Sequence, residues 1–292
     1  MKSLVRSLYH FIPFKKEVYT LLKKIWVPKH TIYKHLSFKG IFTVKIDSAH
    51  KFKIKNYGFE LENEIFWSGL TDGWEKVSVN LWITLCKQSS VVFDIGANTG
   101  IYALITKSLN PNAKVFAFEP VERVYEKLVH NAAINKFDII SLPYAVSDSN
   151  GKGIIYDMKS EHIYSVTVNK NLNATDVEVI EKEIETRTLD SVIEEYKLPA
   201  LDLLKIDVET HEPEVLAGFR EGIRRFKPTI LIEVLNDEVG EKIENEIREL
   251  NYLYYNIDEL KGITKVPHIT KSDYYNYLLC SPETAKGLGL PF

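Results

Sequence analysis

At 292 residues the chain is long enough for one large α/β domain, or for one such domain with a small appendage. An apolar fraction of 45% and a charged fraction of 26% are ordinary for a soluble globular protein, and no apolar run approaches the length of a membrane span. Cys86 and Cys280 stand far apart, which excludes a metal-type or redox-type cysteine spacing and suits buried thiols in a reducing compartment.

The charge is unevenly spread. Residues 1–55 carry 13 Lys/Arg against 2 Asp/Glu, a balance of +11, while the remainder carries 24 against 38, a balance of −14. The first residues lack an uninterrupted apolar core and a small-residue cleavage site, so no signal peptide is expected and the cytoplasm is the expected location. Residues 3–25 read as helical, interrupted near Pro13, with Leu4, Leu8, Phe11, Phe14, Tyr19, Leu22, Ile25 and Trp26 among the lysines. Such a segment suits either an anionic membrane face, contacted peripherally through residues 1–35, or docking on its own acidic domain. Nucleic acid is not an expected partner, because no recognition module accompanies the basic stretch.

Phe42–Ile46 and Phe52–Lys55 alternate around Asp47-Ser48-Ala49-His50, which predicts a short β-hairpin outside the main sheet. The domain reading is therefore a basic helix and hairpin extension over 1–60, followed by the main domain over 61–292. From Leu61 to Lys87 the pattern is helical, broken at Gly69–Gly73. The tryptophans of this stretch, Trp67, Trp74 and Trp82, are expected to plug a helix onto the sheet rather than cover a cofactor's adenine or a sugar face.

The chain is organised around Val91-Val92-Phe93-Asp94-Ile95-Gly96-Ala97-Asn98-Thr99-Gly100, a buried strand, a carboxylate and a glycine turn, followed by a helix from Ile101. This layout presents free backbone N–H groups at the mouth of an α/β sheet. A dinucleotide turn requires G-x-G-x-x-G, whereas here the spacing is Gly96-x-x-x-Gly100 with an acid inside the turn. A carboxylate repels phosphate and favours a cationic amino-acid moiety, so the turn points to S-adenosylmethionine. The next strand, Lys114–Phe118, ends at Glu119, placed 25 residues after Asp94 to hydrogen-bond a ribose. A helix over Val121–Asn135 follows, with Val124, Leu128 and Ile134 on its apolar face. A third strand over Ile139–Val146 then leads to a turn where Ser147 or Asp148 would lie near an adenine edge.

Residues 152–187 break the α/β rhythm and predict a β-rich insertion, with strand-like Ile154–Tyr156 and Ser165–Val168 and an alternating 176–185. A helix starts near Thr188. Leu201–Asp207 is a central strand ending in ionisable groups, followed by a helix over Pro213–Phe219. Pro228–Val234 is a further strand, and a helix spans Asp237–Leu250. The last two strands, near Tyr252–Ile257 and Tyr274–Leu279, are expected as an antiparallel pair at one edge.

These motifs together resemble the FkbM-type family of S-adenosylmethionine-dependent methyltransferases, most clearly over residues 75–235. The resemblance rests on Asp94–Gly100, Phe118-Glu119-Pro120, Asn131 with Asn135, Thr188-Leu189-Asp190, Leu204–Glu209 and Glu214–Gly218. It implies a Rossmann-like α/β sheet of about seven strands with helices on both faces and a reversed final hairpin. It also implies O-methylation of hydroxyls on sugars or related metabolites. Asp94, Gly96, Asn98, Gly100, Glu119 and Asp148 are the expected cofactor contacts. One departure is Thr210, where the family usually has glycine.

Methyl transfer to oxygen is an in-line displacement that needs the hydroxyl proton removed as attack proceeds. Asp207 is the first candidate for the base, with Glu209 and His211 next and Glu212 and Glu233 behind them. Asp207 and Glu209 have an alternative role, holding the mouth in shape through loop amides or Lys205. Asp207, Glu209 and Glu212 offer oxygens to Mg²⁺, but nothing in their spacing demands a metal and none is expected. Rival readings are a nicotinamide-dependent oxidoreductase, disfavoured by the absent G-x-G-x-x-G, and a binding module that has lost its chemistry. The expected acceptor is a small molecule, glycan or lipid-linked precursor.

Overall fold

The computed structural model describes residues 14–158 and 179–292. The predicted helix over 3–13, the predicted strand Ser165–Val168 and residues 176–178 lie outside the described residues. The chain forms two compact units, one ending at Trp74 and the other spanning Glu75–Phe292.

In the first unit a helix covers Lys15–Lys23, and a hairpin pairs β1 (Gly40–Lys45) with β2 (Lys51–Asn56). The hairpin forms where it was predicted. Asp47 closes its turn by accepting the backbone N–H groups of Ala49 and His50 at 2.8 and 2.7 Å. Alternation puts Phe42, Val44, Phe52 and Ile54 inward and lysines outward. These residues meet the helix Glu60–Ser68, whose Phe66 makes edge contacts with Phe38 and Phe42 at 4.7 and 5.5 Å between ring centres. Trp67 is fully buried and donates its indole N–H to the Leu36 carbonyl at 3.1 Å.

The second unit opens with the helix Lys76–Cys86 and then alternates strand and helix. The strands are β3 (Val91–Ile95), β4 (Lys114–Phe118), β5 (Ile140–Leu142), β6 (Ala145–Val146), β7 (Gly151–Met158), β8 (Val179–Arg187), β9 (Leu203–Ile206), β10 (Thr229–Glu233), β11 (Leu253–Asp258), β12 (Gly262–Val266) and β13 (Asn276–Cys280). The main sheet runs β12-β11-β13-β10-β9-β3-β4-β5. Its five strands from β10 to β5 are parallel, and β13, β11 and β12 run antiparallel to their neighbours. β3 and β9 have residues buried on both faces, as a parallel sheet covered on two sides demands.

The chain winds outward from β3 through β4 to β5, then returns to the other side of β3 to lay down β9 and β10. The order therefore reverses between β3 and β9. Ligands of open α/β sheets bind at this kind of reversal, outside the carboxyl ends of the strands.

Two sequence expectations need correction, and one helix goes unread in the sequence. The single strand over Ile139–Val146 is two strands in two sheets. Pro143 supplies no N–H for a ladder, and after it β6 leaves β5 to join a separate sheet of order β6-β8-β7. The antiparallel pair β11 and β13 is present, but β12 is the edge strand outside it, giving eight strands rather than about seven. The segment after Gly218 forms a second helix, Arg220–Phe226, whose N-terminal amides at Glu221 and Gly222 are accepted by Asp190 at 3.0 and 2.8 Å.

Trp82 is fully buried, its indole N–H shared between the Tyr102 carbonyl at 3.1 Å and Thr106 Oγ1 at 3.0 Å. Its ring stands edge-on to Tyr102. It plugs the helix Lys76–Cys86 onto the helix Ile101–Leu109, where a plug of a helix onto the sheet was expected. Trp82→Ala should cost about 3–5 kcal/mol of unfolding free energy in urea denaturation; a loss below about 1 kcal/mol would deny it that role.

Candidate active site at the carboxyl ends of β3, β9 and β10

Asp94 occupies the fourth position of β3, beside Ala117 of β4 and Lys205 of β9. Its side chain is 2% exposed and accepts the Ala103 N–H at 3.0 Å. Burial pushes its carboxyl up to about 7, opposed by the nearby Lys205 ammonium.

The turn that follows is held from both sides. Gly96 and Ala97 donate their N–H groups to the Phe118 carbonyl at 3.1 and 2.9 Å. Gly96 has φ 75°, and a Cβ there would stand 1.8 Å from the Asp207 carbonyl oxygen, so only glycine lets the first turn and the end of β9 touch. Gly100, at φ 88°, starts the helix Ile101–Leu109 with its Cα against Leu128. Asn131, on the helix Glu122–Asn135, donates to the Thr99 carbonyl at 2.9 Å, and Asn135 donates to the Asn131 carbonyl at 2.7 Å.

Glu119 spans the turn from β4. One of its oxygens accepts the Asn98 N–H at 3.0 Å and the other the Val121 N–H at 2.9 Å. Burial pushes Glu119 up to about 7 as well, against the pull of these two amides. Asn98 lies at φ 51°, and its side-chain Oδ1 is buried with no hydrogen-bond partner among the described residues. The turn thus brings together two buried acids, both raised by burial, and an idle acceptor oxygen. This is an environment short of positive charge.

Lys205 lies at the heart of the second cluster. It is 1% exposed, and its ammonium donates to Asp207 Oδ2 at 3.0 Å and lies 5.4 Å from the centre of the Tyr102 ring. The loss of water on burial works against its charge, but nearby acids, Asp207 first and Glu75 next, outweigh that loss and raise its pKa. Tyr102 donates its hydroxyl to Glu75, which burial raises. Glu233, at the end of β10, is pushed up to about 10 by burial and by the Asp207 carboxylate, so it keeps its proton at neutral pH. Asp207 retains a half-open side chain, 30% exposed.

The loop after β9 turns sharply. Glu209 and Thr210 are consecutive left-handed residues, φ 55° and 79°. A β-branched side chain is an outlier in that region, so Thr210 occupies a position whose backbone suits glycine. Fully buried Glu212 spans the loop by accepting the Val208 N–H at 3.1 Å, and burial pushes it up to about 8.

His211 bridges away from this loop. Its Nε2 is 3.0 Å from Ser147 Oγ and its Nδ1 is 3.5 Å from Glu214, and burial lowers its pKa. Ser147 and exposed Asp148 follow β6 of the small sheet and not β5 of the main one, so their position rests on the break at Pro143. Among the described residues no group of three or more His, Cys, Asp or Glu is arranged to hold a metal ion.

The structure therefore gathers Asp94, Gly96, Asn98, Gly100 and Glu119 into one turn, and links it through Gly96 to Asp207. Glu75 and Tyr102 were not singled out from the sequence. Glu75 precedes a helix in a stretch read only for its tryptophans, and Tyr102 resembled any apolar position of its helix. Lys205 was read only as a partner for loop carboxylates, because a lysine within a strand gives no sign that it will be buried.

A mainly parallel sheet that reverses at β3/β9, ends in an antiparallel β13 and carries an acid-glycine turn after its first strand defines a Rossmann-like methyltransferase fold. The chain belongs to the methyltransferase FkbM domain family, whose domain matches residues 94–254. It is 28% identical over 160 residues to the hexuronic acid methyltransferase AglP of Haloferax volcanii, covering 55% of this chain and 62% of that protein. It is 32% identical over 159 residues to the 31-O-demethyl-FK506 methyltransferase FkbM of Streptomyces tacrolimicus, covering 46% and 61%. Its matches thus span less than two thirds of these relatives. A crystal structure of methyltransferase FkbM from Methylobacillus flagellatus KT superposes with a TM-score of 0.40 at 15% identity, covering 65% of this chain and 43% of that one.

Relieving the left-handed strain should register as stability. Thr210→Gly is expected to raise the unfolding free energy in urea by about 1 kcal/mol; a loss of stability would mean that the threonine side chain makes a contact worth more than the strain.

Proposed function

We propose that the protein is an S-adenosylmethionine-dependent methyltransferase acting on a hydroxyl of a sugar, glycan or secondary metabolite. The observation that supports this most is the turn between β3 and its helix, where Asp94 and Glu119 are buried without a full counter-charge beside the idle Asn98 oxygen. A ligand carrying ammonium and sulfonium groups meets that need, whereas a pyrophosphate would add to the deficit. Asp94, the amides of Gly96–Gly100, Asn98 and Glu119 would hold it, with Asp148 at the adenine end. Relatives named for a hexuronic acid and for an O-demethylated precursor support an oxygen acceptor.

When bound, the cofactor supplies an electrophilic methyl carbon. The chain's own work is to hold the acceptor hydroxyl in line and to receive its proton. Asp207 is the base in this reading. Lys205 fixes one of its oxygens, leaving the other for the acceptor. Glu233, raised by burial, sits among the same groups. Glu209 lines the same loop, and His211 steadies it against Ser147 rather than acting first on the proton. The basic first residues fit an enzyme working peripherally at the inner membrane face on a lipid-linked precursor.

Asp94→Asn removes the charge but keeps an acceptor for the Ala103 amide. Calorimetry should show S-adenosylmethionine bound tenfold or more weakly, by about 1.4 kcal/mol or more, with the circular dichroism unchanged. Asp207→Asn should retain cofactor affinity while turnover of an accepted substrate falls ~100-fold or more. Undiminished cofactor binding in the first variant removes the proposed ligand; normal turnover in the second moves the base elsewhere.

A further inference from the structure

The helix Lys15–Lys23 has two apolar faces, and the first unit uses only one. On the used face Tyr19 is 7% exposed and lies 5.4 Å from Trp67 between ring centres. Lys23 donates to the Phe66 carbonyl with its ammonium over the Phe66 ring. The other face follows the spacing of a helical stripe, at Phe14, Val18, Leu21 and Ile25. These side chains are 74, 52, 61 and 88% exposed. Trp26 and Val27 extend the surface at 49 and 48%. With Ile32, they make up half of the large apolar side chains that stand exposed among the described residues, all within 19 positions. Isolated exposed apolar residues need no explanation, but a contiguous stripe does.

We propose that this stripe is a docking face for an anionic lipid surface. Long aliphatic and aromatic side chains would enter the boundary between headgroups and acyl chains. The exposed Lys24, Lys29 and Lys34 would meet the headgroup charge. Charge complementarity selects this occupant. Between residues 14 and 39 there are seven lysines and one acid, Glu17, within a chain whose net charge is −3. An acidic protein as a whole is repelled by an anionic bilayer, so attraction has to come from this segment. No described helix is long and apolar enough to cross a membrane, so the contact is peripheral. A nine-residue helix covers little area, which makes the attachment reversible and salt-sensitive. The inference rests on the peripheral setting proposed above, but not on methyl transfer.

The test sediments the full chain with phosphatidylcholine vesicles containing about 30% phosphatidylserine, and with pure phosphatidylcholine vesicles. The chain should partition onto the anionic vesicles alone and be released as salt is raised from ~0.1 to ~0.5 M. A V18S/L21S/I25S variant alters only exposed side chains, and its partitioning should fall on the order of a hundredfold with its melting temperature unchanged. Equal partitioning of the variant, or no binding by the native chain, overturns the proposal. So does concentration-dependent self-association of the native chain that the variant abolishes, which would assign the stripe to a second copy. S-adenosylmethionine affinity, measured on both proteins, separates these outcomes from a failure of the methyltransferase reading.

Discussion

A single buried ammonium governs the working end of the sheet. Lys205 lies in β9 between Asp94 of β3 and Leu231 of β10, where neighbouring strands exclude water. An unpaired charge in such a place costs several kcal/mol, and removing one partner of a buried pair typically costs about 3–5 kcal/mol. Here the cost is met by Asp207 in direct contact and by the field of Glu75. More acids than bases surround this point. Burial and the neighbouring Asp207 raise Glu233, while Asp207 is held by the lysine.

The glycine turn is mechanically coupled to that cluster. Gly96 touches the Asp207 carbonyl so closely that no side chain fits between them, and Asp207 donates its N–H to the Ile95 carbonyl at 3.0 Å. The turn proposed for the cofactor and the residue proposed for the proton therefore move as one body. Glu119 adds a second tie by fixing Asn98 from the neighbouring strand. Opposite them, the strained pair Glu209 and Thr210 and the clamp by Glu212 shape the far lip. Rigid placement of donor and acceptor is what an in-line displacement asks of its protein.

The parallel core and the glycine turn were legible because their signals are local. A buried apolar run, an acid and two glycines at fixed spacing have few alternative readings. What was missed depends on distant neighbours. β12 is a half-exposed edge strand with no strong alternation, and it exists because β11 offers it an open ladder. The split of the third strand turns on Pro143, whose effect on sheet membership needs β8 as a partner. Glu75 and Tyr102 become site residues only because the helices Lys76–Cys86 and Ile101–Leu109 converge on Lys205. Thr210 was visible in the sequence as a departure from the family pattern, and its left-handed backbone accounts for the usual glycine.

The central claim is that the mouth is an acid-rich site awaiting a cation, and its most direct test is calorimetry of S-adenosylmethionine between pH ~5.5 and ~7, in two buffers of different ionisation enthalpy. Asp94 and Glu119 are raised to about 7 in the free protein, so both hold protons at the lower pH. A cation favours their ionised forms. The account therefore predicts proton release on binding and affinity that tightens on the order of tenfold as the pH rises. Affinity that stays flat or weakens over that range, with no proton released, would contradict it.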